Sequence, residues 1–119
     1  MLPRKYRLTA VADFRRIHAQ GQCWSSRMVV LCKHPSDLAW PRVGFSVSKR
    51  IGNAVVRNRT KRLMREAVRP VCDLIEPGWD VLIIARHAIL GADLEAIEGS
   101  IVGLFRKARL LRSEDDAAR

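Results

Sequence analysis

The run Val81-Leu82-Ile83-Ile84-Ala85, entered through Trp79-Asp80 and left through Arg86, constrains the fold more than any other feature. A strand with one wet face alternates apolar and polar side chains. This one does not, so it belongs inside a sheet with both faces covered. Glu76-Pro77-Gly78 supplies the turn before it. A chain of 119 residues with 48% hydrophobic content supports one core and is too short to expect two. Residues 1–119 therefore read as a single domain, an α/β sandwich with helices packed on a sheet.

Two earlier segments read as strands. One is Arg27-Met28-Val29-Val30-Leu31-Cys32-Lys33, ended by the turn residues His34-Pro35-Ser36-Asp37. The other starts at Pro41 or Arg42, where Val43, Phe45 and Val47 point one way and Gly44, Ser46 and Ser48 the other. Its second face is small and polar, and leaves room for a ligand to lie on it. Thr9 is the expected cap of a first helix through His18, with Val11, Phe14, Ile17 and His18 on one face and Gly21 as the stop. A last helix is expected from about Asp93 to Leu111, because Leu94, Ile97, Ile101, Leu104, Ala108 and Leu111 keep 3–4 spacing. Residues 113–119 read as a frayed tail.

Charge is distributed unevenly. The chain carries +10 overall, with +13 in residues 1–69 and −3 in residues 70–119. Much of the excess lies between Arg57 and Arg69, a helix-patterned run with six basic residues and one acid, for which Asn53 is the expected N-cap and Pro70 the stop. Projected as a helix, Val56, Thr60, Leu63, Met64 and Ala67 share one arc, whereas Asn58, Lys61, Arg62, Arg65 and Arg69 gather opposite. Lys49 and Arg50 come just before. Like charges at helical spacing repel, so the cluster suits a polyanionic partner such as nucleic acid. A solvated face that only maintains solubility is the plainer reading.

Signals for a protein active site are missing. His18, His34 and His87 have no metal-ligand spacing. Gly44-Phe45-Ser46-Val47-Ser48 lacks the second glycine of a nucleophile elbow, and Gly52-Asn53-Ala54-Val55-Val56-Arg57 lacks the lysine and hydroxyl of a P-loop. Asp13 and Asp37 are isolated in the basic half, too few for a two-metal nuclease. Cys23, Cys32 and Cys72 are odd in number and without C-x-x-C spacing, so neither a disulfide framework nor a zinc site is expected. No apolar run is long enough to span a bilayer, and no signal-peptide core follows the basic segment 1–7. The expected location is the cytoplasm.

The stretch from Val43 through Gly44-Phe45-Ser46-Val47-Ser48-Lys49-Arg50-Ile51-Gly52-Asn53 to Arg57-Asn58-Arg59-Thr60-Lys61-Arg62 closely resembles the signature of the bacterial ribonuclease P protein subunit. The resemblance extends upstream to Tyr6-Arg7-Leu8 and Asp13-Phe14, and downstream to Asp80, Ile84-Ala85-Arg86 and Leu104-Phe105-Arg106-Lys107. It implies an α-β-β-β-α-β-α two-layer sandwich with a left-handed β-α-β crossover, an exception to the usual handedness. Only three strands are legible in the residues. The fourth comes from the family, and its expected place is where the long early strands bend.

The resemblance also implies a function: a protein cofactor for a catalytic RNA that, with Mg²⁺ held mainly by the RNA, hydrolyses precursor tRNA to release its 5′ leader. The chain would then be a subunit of an endoribonuclease holoenzyme with no nucleophile of its own, no membrane and no obligate protein partner. Lys49, Arg50, Arg57, Asn58, Arg59, Lys61, Arg62 and Arg65 match positions that meet the catalytic RNA, and Phe14, Ser46 and Ser48 match the leader cleft, with His18 beside them. His18 and Cys32 stand where relatives often carry aromatics, and Thr60 replaces a more usual aliphatic. Arg59 reads equally as an anchor to the sheet, and Phe14 as core. The competing reading is a ribosome-associated or structural RNA-binding protein with no role in cleavage. A helix-based DNA binder is a third, and a protein-only nuclease the least favoured.

Overall fold

A computed structural model describes residues 4–112. After a short 3₁₀ turn at Arg4–Tyr6, the elements are α1 (Val11–Gln20), β1 (Gln22–Ser25), β2 (Val29–Pro35), β3 (Arg42–Ser46), α2 (Ala54–Val68), β4 (Trp79–Ala85) and α3 (Leu94–Lys107), with further 3₁₀ turns at Arg69–Leu74 and His87–Ile89. The chain order is the expected α-β-β-β-α-β-α. The sheet order is β1-β2-β4-β3, so the apolar strand β4 is interior. It runs antiparallel to β2 and parallel to β3, and α2 makes the crossover between the parallel pair.

Alternation along the strands builds two cores. Val29, Leu31, Val43, Phe45, Val81, Ile83 and Ala85 face α2 and α3, which contribute Met64, Ala67 and Val68, and Ile97, Ile101, Leu104 and Phe105. On the opposite face Cys32 and Leu82 meet Leu8 and Ile17, with Phe14, Val30 and Ile84 packed alongside. Ile17 is the one fully buried residue of α1, and burying such a side chain contributes only about 1.5–3 kcal/mol. A polar clasp adds to that. Asp80, 2% exposed, accepts from Arg42 Nε at 2.8 Å and Arg42 Nη2 at 2.7 Å, and lies 3.7 Å from Arg16 of α1. Donation of its N–H groups to the Asp80 carboxylate holds the Arg42 guanidinium pKa above its ordinary value, against the opposing effect of burial.

Several expectations need correction. The fourth strand is β1, directly after α1 and ahead of the first strand read from the sequence. Ser26 bonds back to Val29 through both backbone and hydroxyl, so Arg27 and Met28 belong to the β1–β2 turn and β2 starts two residues late. Thr9 does not cap α1; the N-cap is Ala10, with no side-chain hydrogen bond, and Val11 is exposed. Asn53 and Asp93 do cap their helices, accepting from Val56 N and Ala96 N. α3 ends at Lys107, four residues short of the apolar spacing, because Arg109 takes a left-handed conformation (φ 57°) and turns the chain so that Leu111 bridges Ile75. The expected tail, residues 113–119, and residues 1–3 of the basic N-terminal segment lie outside the described residues.

The cysteine reading is also overturned. Register sets Cys23 of β1 opposite Cys32 of β2, with Cα atoms 4.1 Å apart and a disulfide joining them. That spacing is the close one of an antiparallel pair. Without β1 the pairing was invisible. Cys72 is the remaining thiol; its burial, helped by the Asp73 carboxylate, pushes its pKa up.

At the far end of α3, Lys33 Nζ lies 4.2 Å from the Trp79 ring centroid and 5.5 Å from that of Trp24, and donates to the Ala108 carbonyl at 2.8 Å. One ammonium thus satisfies a helix C-terminus and fills the gap between two indoles.

Candidate RNA interface

β3 is an edge strand, and the N-terminal segment covers only its first half: Arg7 bridges Val43, and Leu8 N donates to the Val43 carbonyl at 3.0 Å. Beyond that point the edge looks onto α2. A groove of about 150 Å³ follows, lined by Arg7 and Thr9, by Phe14 and Phe45 from the two faces of the sheet, and by Lys61 and Arg65 of α2. The Arg65 guanidinium carbon sits 6.0 Å from the Phe45 ring centroid.

Phe14 reaches this groove because residue 44 is glycine. A Cβ there would lie 2.6 Å from Phe14 Cε1 and 2.7 Å from the Leu8 carbonyl oxygen, so no side chain fits without moving the ring. Gly44 and Ser46 face the same side as Leu82 and Ile84 of β4. Past α1 the sheet shows an open row, Ser25, Val30, Ile84 and Ser46, aligned strand to strand. Ser25 is exposed and the other three are half-buried. The small, polar surface expected from β3 therefore exists, with Phe14 half-buried at its border and His18 exposed one turn further along α1. Ser48 lies beyond the end of β3, exposed in the turn with Lys49 and Arg50. That turn is held by Ile51 N donating to the Ser48 carbonyl, with Ile51 buried beneath it.

On α2, Thr60, Met64, Ala67 and Val68 are buried, as the projected arc requires. Thr60 does not leave a polar atom stranded: its hydroxyl donates to the Val56 carbonyl at 2.8 Å. The basic residues divide by direction. Lys61 and Arg65 line the β3 groove, and Arg57 precedes them by one turn with its Nε buried and without a hydrogen-bond partner. Asn58, Arg59 and Arg62, all exposed, border a different hollow together with Val55. Arg59 thus lies on the surface and is not an anchor to the sheet. Among the described residues, the one ion pair involving α2 is Arg69 with Glu66 at 3.6 Å, so the ridge is not neutralised from within.

The residues brought together are thus Phe14 with Lys61 and Arg65; Arg59 and Arg62 face elsewhere. Sequence reading missed Arg7, Thr9 and Phe45. The alternation of β3 places Phe45 on its buried side, where it lies, but nothing local signals that its ring also meets an arginine. Among the described residues no three His, Cys, Asp or Glu side chains gather as a metal site, and no helix is long and apolar enough to cross a membrane.

A four-stranded mixed sheet with a cation-rich crossover helix beside an open aromatic-bordered face defines a class of small, basic α+β proteins built to meet a polyanion. The particular family follows from comparison. Residues 2–109 match the family model described as Ribonuclease P, and the chain belongs to that family. It is 41% identical over 109 residues to the ribonuclease P protein component of Herpetosiphon aurantiacus, covering 92% of this chain and 89% of that one. With the corresponding Caldanaerobacter subterraneus protein it shares 36% identity, covering 92% and 94%. The fold superposes on the Staphylococcus aureus RNase P protein with a TM-score of 0.81 at 31% identity, covering 90% of this chain and 98% of that one. For the Thermotoga maritima RNase P protein the TM-score is 0.76 at 25% identity, covering 85% and 96%.

Proposed function

We propose that this chain is the protein cofactor of ribonuclease P, a tRNA-processing ribonucleoprotein of the cytoplasm. In that role it binds the catalytic RNA through α2 and the Lys49-Arg50 turn, and holds the 5′ leader of precursor tRNA on the open sheet face. The observation that carries the reading is the groove in which Phe14 meets Lys61 and Arg65. An unpaired base stacks on an aromatic ring for roughly 1–3 kcal/mol, while the two cations take the adjoining phosphates. A leader is single-stranded and offers both; a mature tRNA 5′ end does not. Bond hydrolysis belongs to the RNA and the Mg²⁺ it holds. This chain's own residues position the substrate and screen phosphate repulsion between two RNAs, which lowers the magnesium needed for cleavage.

The test is reconstitution with a bacterial ribonuclease P RNA at low Mg²⁺. The expected result is stimulated removal of the leader, with precursor tRNA bound more tightly than mature tRNA. No stimulation, with RNA binding retained, would favour a structural RNA-binding protein instead.

A further inference from the structure

On the α1 side of the sheet, register aligns Cys23, Cys32, Leu82 and Gly44 as one row across all four strands. That row is the floor under α1. At its β3 end is Gly44, against which the Phe14 ring packs, and in its middle Cys32 and Leu82 are buried with Ile17 and Leu8. Its β1 end is the Cys23–Cys32 disulfide. The next row on the same face is the open one, Ser25, Val30, Ile84 and Ser46, so the disulfide borders the surface assigned to the leader.

The two cysteines are unequally placed. Cys23 is exposed on edge strand β1, whereas Cys32 is fully buried, so a thiolate from solvent has its access at Cys23. Attack there breaks the S–S bond; Cys32 leaves as a thiolate and takes up a proton, and a second thiol displaces Cys23 from the mixed disulfide. The protein disulfide has then gained two electrons and two protons, and two external thiols have become one disulfide.

Little else holds β1. It is four residues long, and of these only Trp24 packs against the main core. A single residue, Gly21, joins it to α1. The Gly21 N–H donates to the Ile17 carbonyl at 2.8 Å, and a Cβ at residue 21 would lie 2.5 Å from that oxygen and 2.6 Å from the Lys33 carbonyl oxygen. Gly21 is thus wedged between the last turn of α1 and β2, and a shift of β1 against β2 passes directly to the helix that carries Phe14 and His18.

We propose that Cys23 and Cys32 form a thiol–disulfide switch on leader recognition. Oxidised, the pair pins β1 and fixes the seat of α1, so that Phe14 and His18 border a formed cleft. Reduced, it lets the edge strand and α1 loosen together, while α2, packed on the other face of the sheet, keeps its place. The inference rests on the ribonuclease P reading above and adds a control to the same site.

The experiment uses the full chain reconstituted with a bacterial ribonuclease P RNA, with the protein oxidised, reduced by dithiothreitol, or reoxidised by oxidised glutathione. Alkylation counts the thiols in each state, and a thermal melt sets the assay temperature below the Tm of the reduced protein. Reduction should raise the Kd for precursor tRNA about threefold or more, since part of the Phe14 stacking is forfeited. The Kd for mature tRNA and the affinity for the catalytic RNA should stay within about twofold, and reoxidation should restore the precursor Kd. Cys23→Ser should bind precursor tRNA as the reduced protein does, whatever the reagent, and Cys72→Ser should switch as wild type does. Three reactive thiols in the oxidised preparation, a precursor Kd unmoved by reduction, or Cys23→Ser binding like oxidised wild type overturns the inference. So does a parallel loss of affinity for the catalytic RNA, which marks general unfolding instead of loosening at α1. A preference for precursor over mature tRNA that persists unchanged through reduction removes the switch alone; its absence in the oxidised holoenzyme removes the functional reading as well.

Discussion

Gly44→Ala tests whether the position of Phe14 matters. The new Cβ would sit 2.6 Å and 3.0 Å from two Phe14 ring carbons and 2.7 Å from the Leu8 carbonyl oxygen, whereas ordinary contact begins near 3.4 Å. The ring must withdraw by about 0.8 Å. The oxygen cannot easily follow, because Leu8 N is bonded to the Val43 carbonyl at 3.0 Å. Overpacking of this kind costs about 1–3 kcal/mol, and replacing a glycine within a strand returns about 0.5–1 kcal/mol of that. A net loss of about 1–2 kcal/mol is expected from denaturant melts of the isolated protein. In the holoenzyme, a displaced Phe14 forfeits part of a stacking contact of roughly 1–3 kcal/mol, so the Kd for leader-bearing precursor tRNA should rise about tenfold. Mature tRNA binding should change by less than about twofold, since it presents no base to this ring. Unchanged stability would refute the packing of Phe14 on Gly44. Lost stability with an unchanged ratio of precursor to mature affinity would refute the contact with the leader.

Asp80→Ala leaves the Arg42 guanidinium, about a quarter exposed, without its bidentate partner; a loss of about 2–4 kcal/mol in a denaturant melt is expected, below the fully buried case because water reaches the arginine. Arg65→Ala should lower the salt slope of precursor-tRNA binding by the holoenzyme by about one unit; an identical slope would show that Arg65 meets no phosphate. Reducing the Cys23–Cys32 disulfide, which closes a short loop of sequence separation 9, should cost roughly 2–3 kcal/mol, read as a lower Tm in dithiothreitol and three alkylatable thiols in place of one. In the non-reduced protein, Cys72 should alkylate more slowly than in the unfolded chain. Its raised pKa keeps it protonated over the window between the unfolded and folded values, so the rate should climb only at higher pH; equal profiles in the folded and unfolded states would show the thiol to be unshielded.

What could be read from the residues depended on how locally each feature is encoded. β4 was legible because its apolar run tolerates no other position in a sheet, and α2 because buried and charged arcs separate at helical spacing. β1 was not, since in Gln22-Cys23-Trp24-Ser25 only Trp24 packs against the main core, too little to stand out as a strand. The end of α3 was overrun because its stop is an arginine in a left-handed conformation, where a glycine would have announced it. At the site, the basic positions are legible in the sequence as one cluster, but their division between two sides of α2 depends on what packs beside the helix. Arg7, Thr9 and Phe45 join Lys61 and Arg65 only through the pairing of the N-terminal segment with β3, a contact between distant parts of the chain.

The Lys33 clamp has a practical use. Trp24 and Trp79 flank a single ammonium that also holds the carbonyl at the end of α3, whereas Trp40 lies apart, its indole N–H donating to the Lys5 carbonyl. Intrinsic fluorescence therefore contains a built-in optical gauge of whether α3 is seated on the sheet. A titration with RNA that changes the emission of Lys33→Met differently from wild type would register movement at that clamp, some distance along the fold from the cationic helix and without any attached dye.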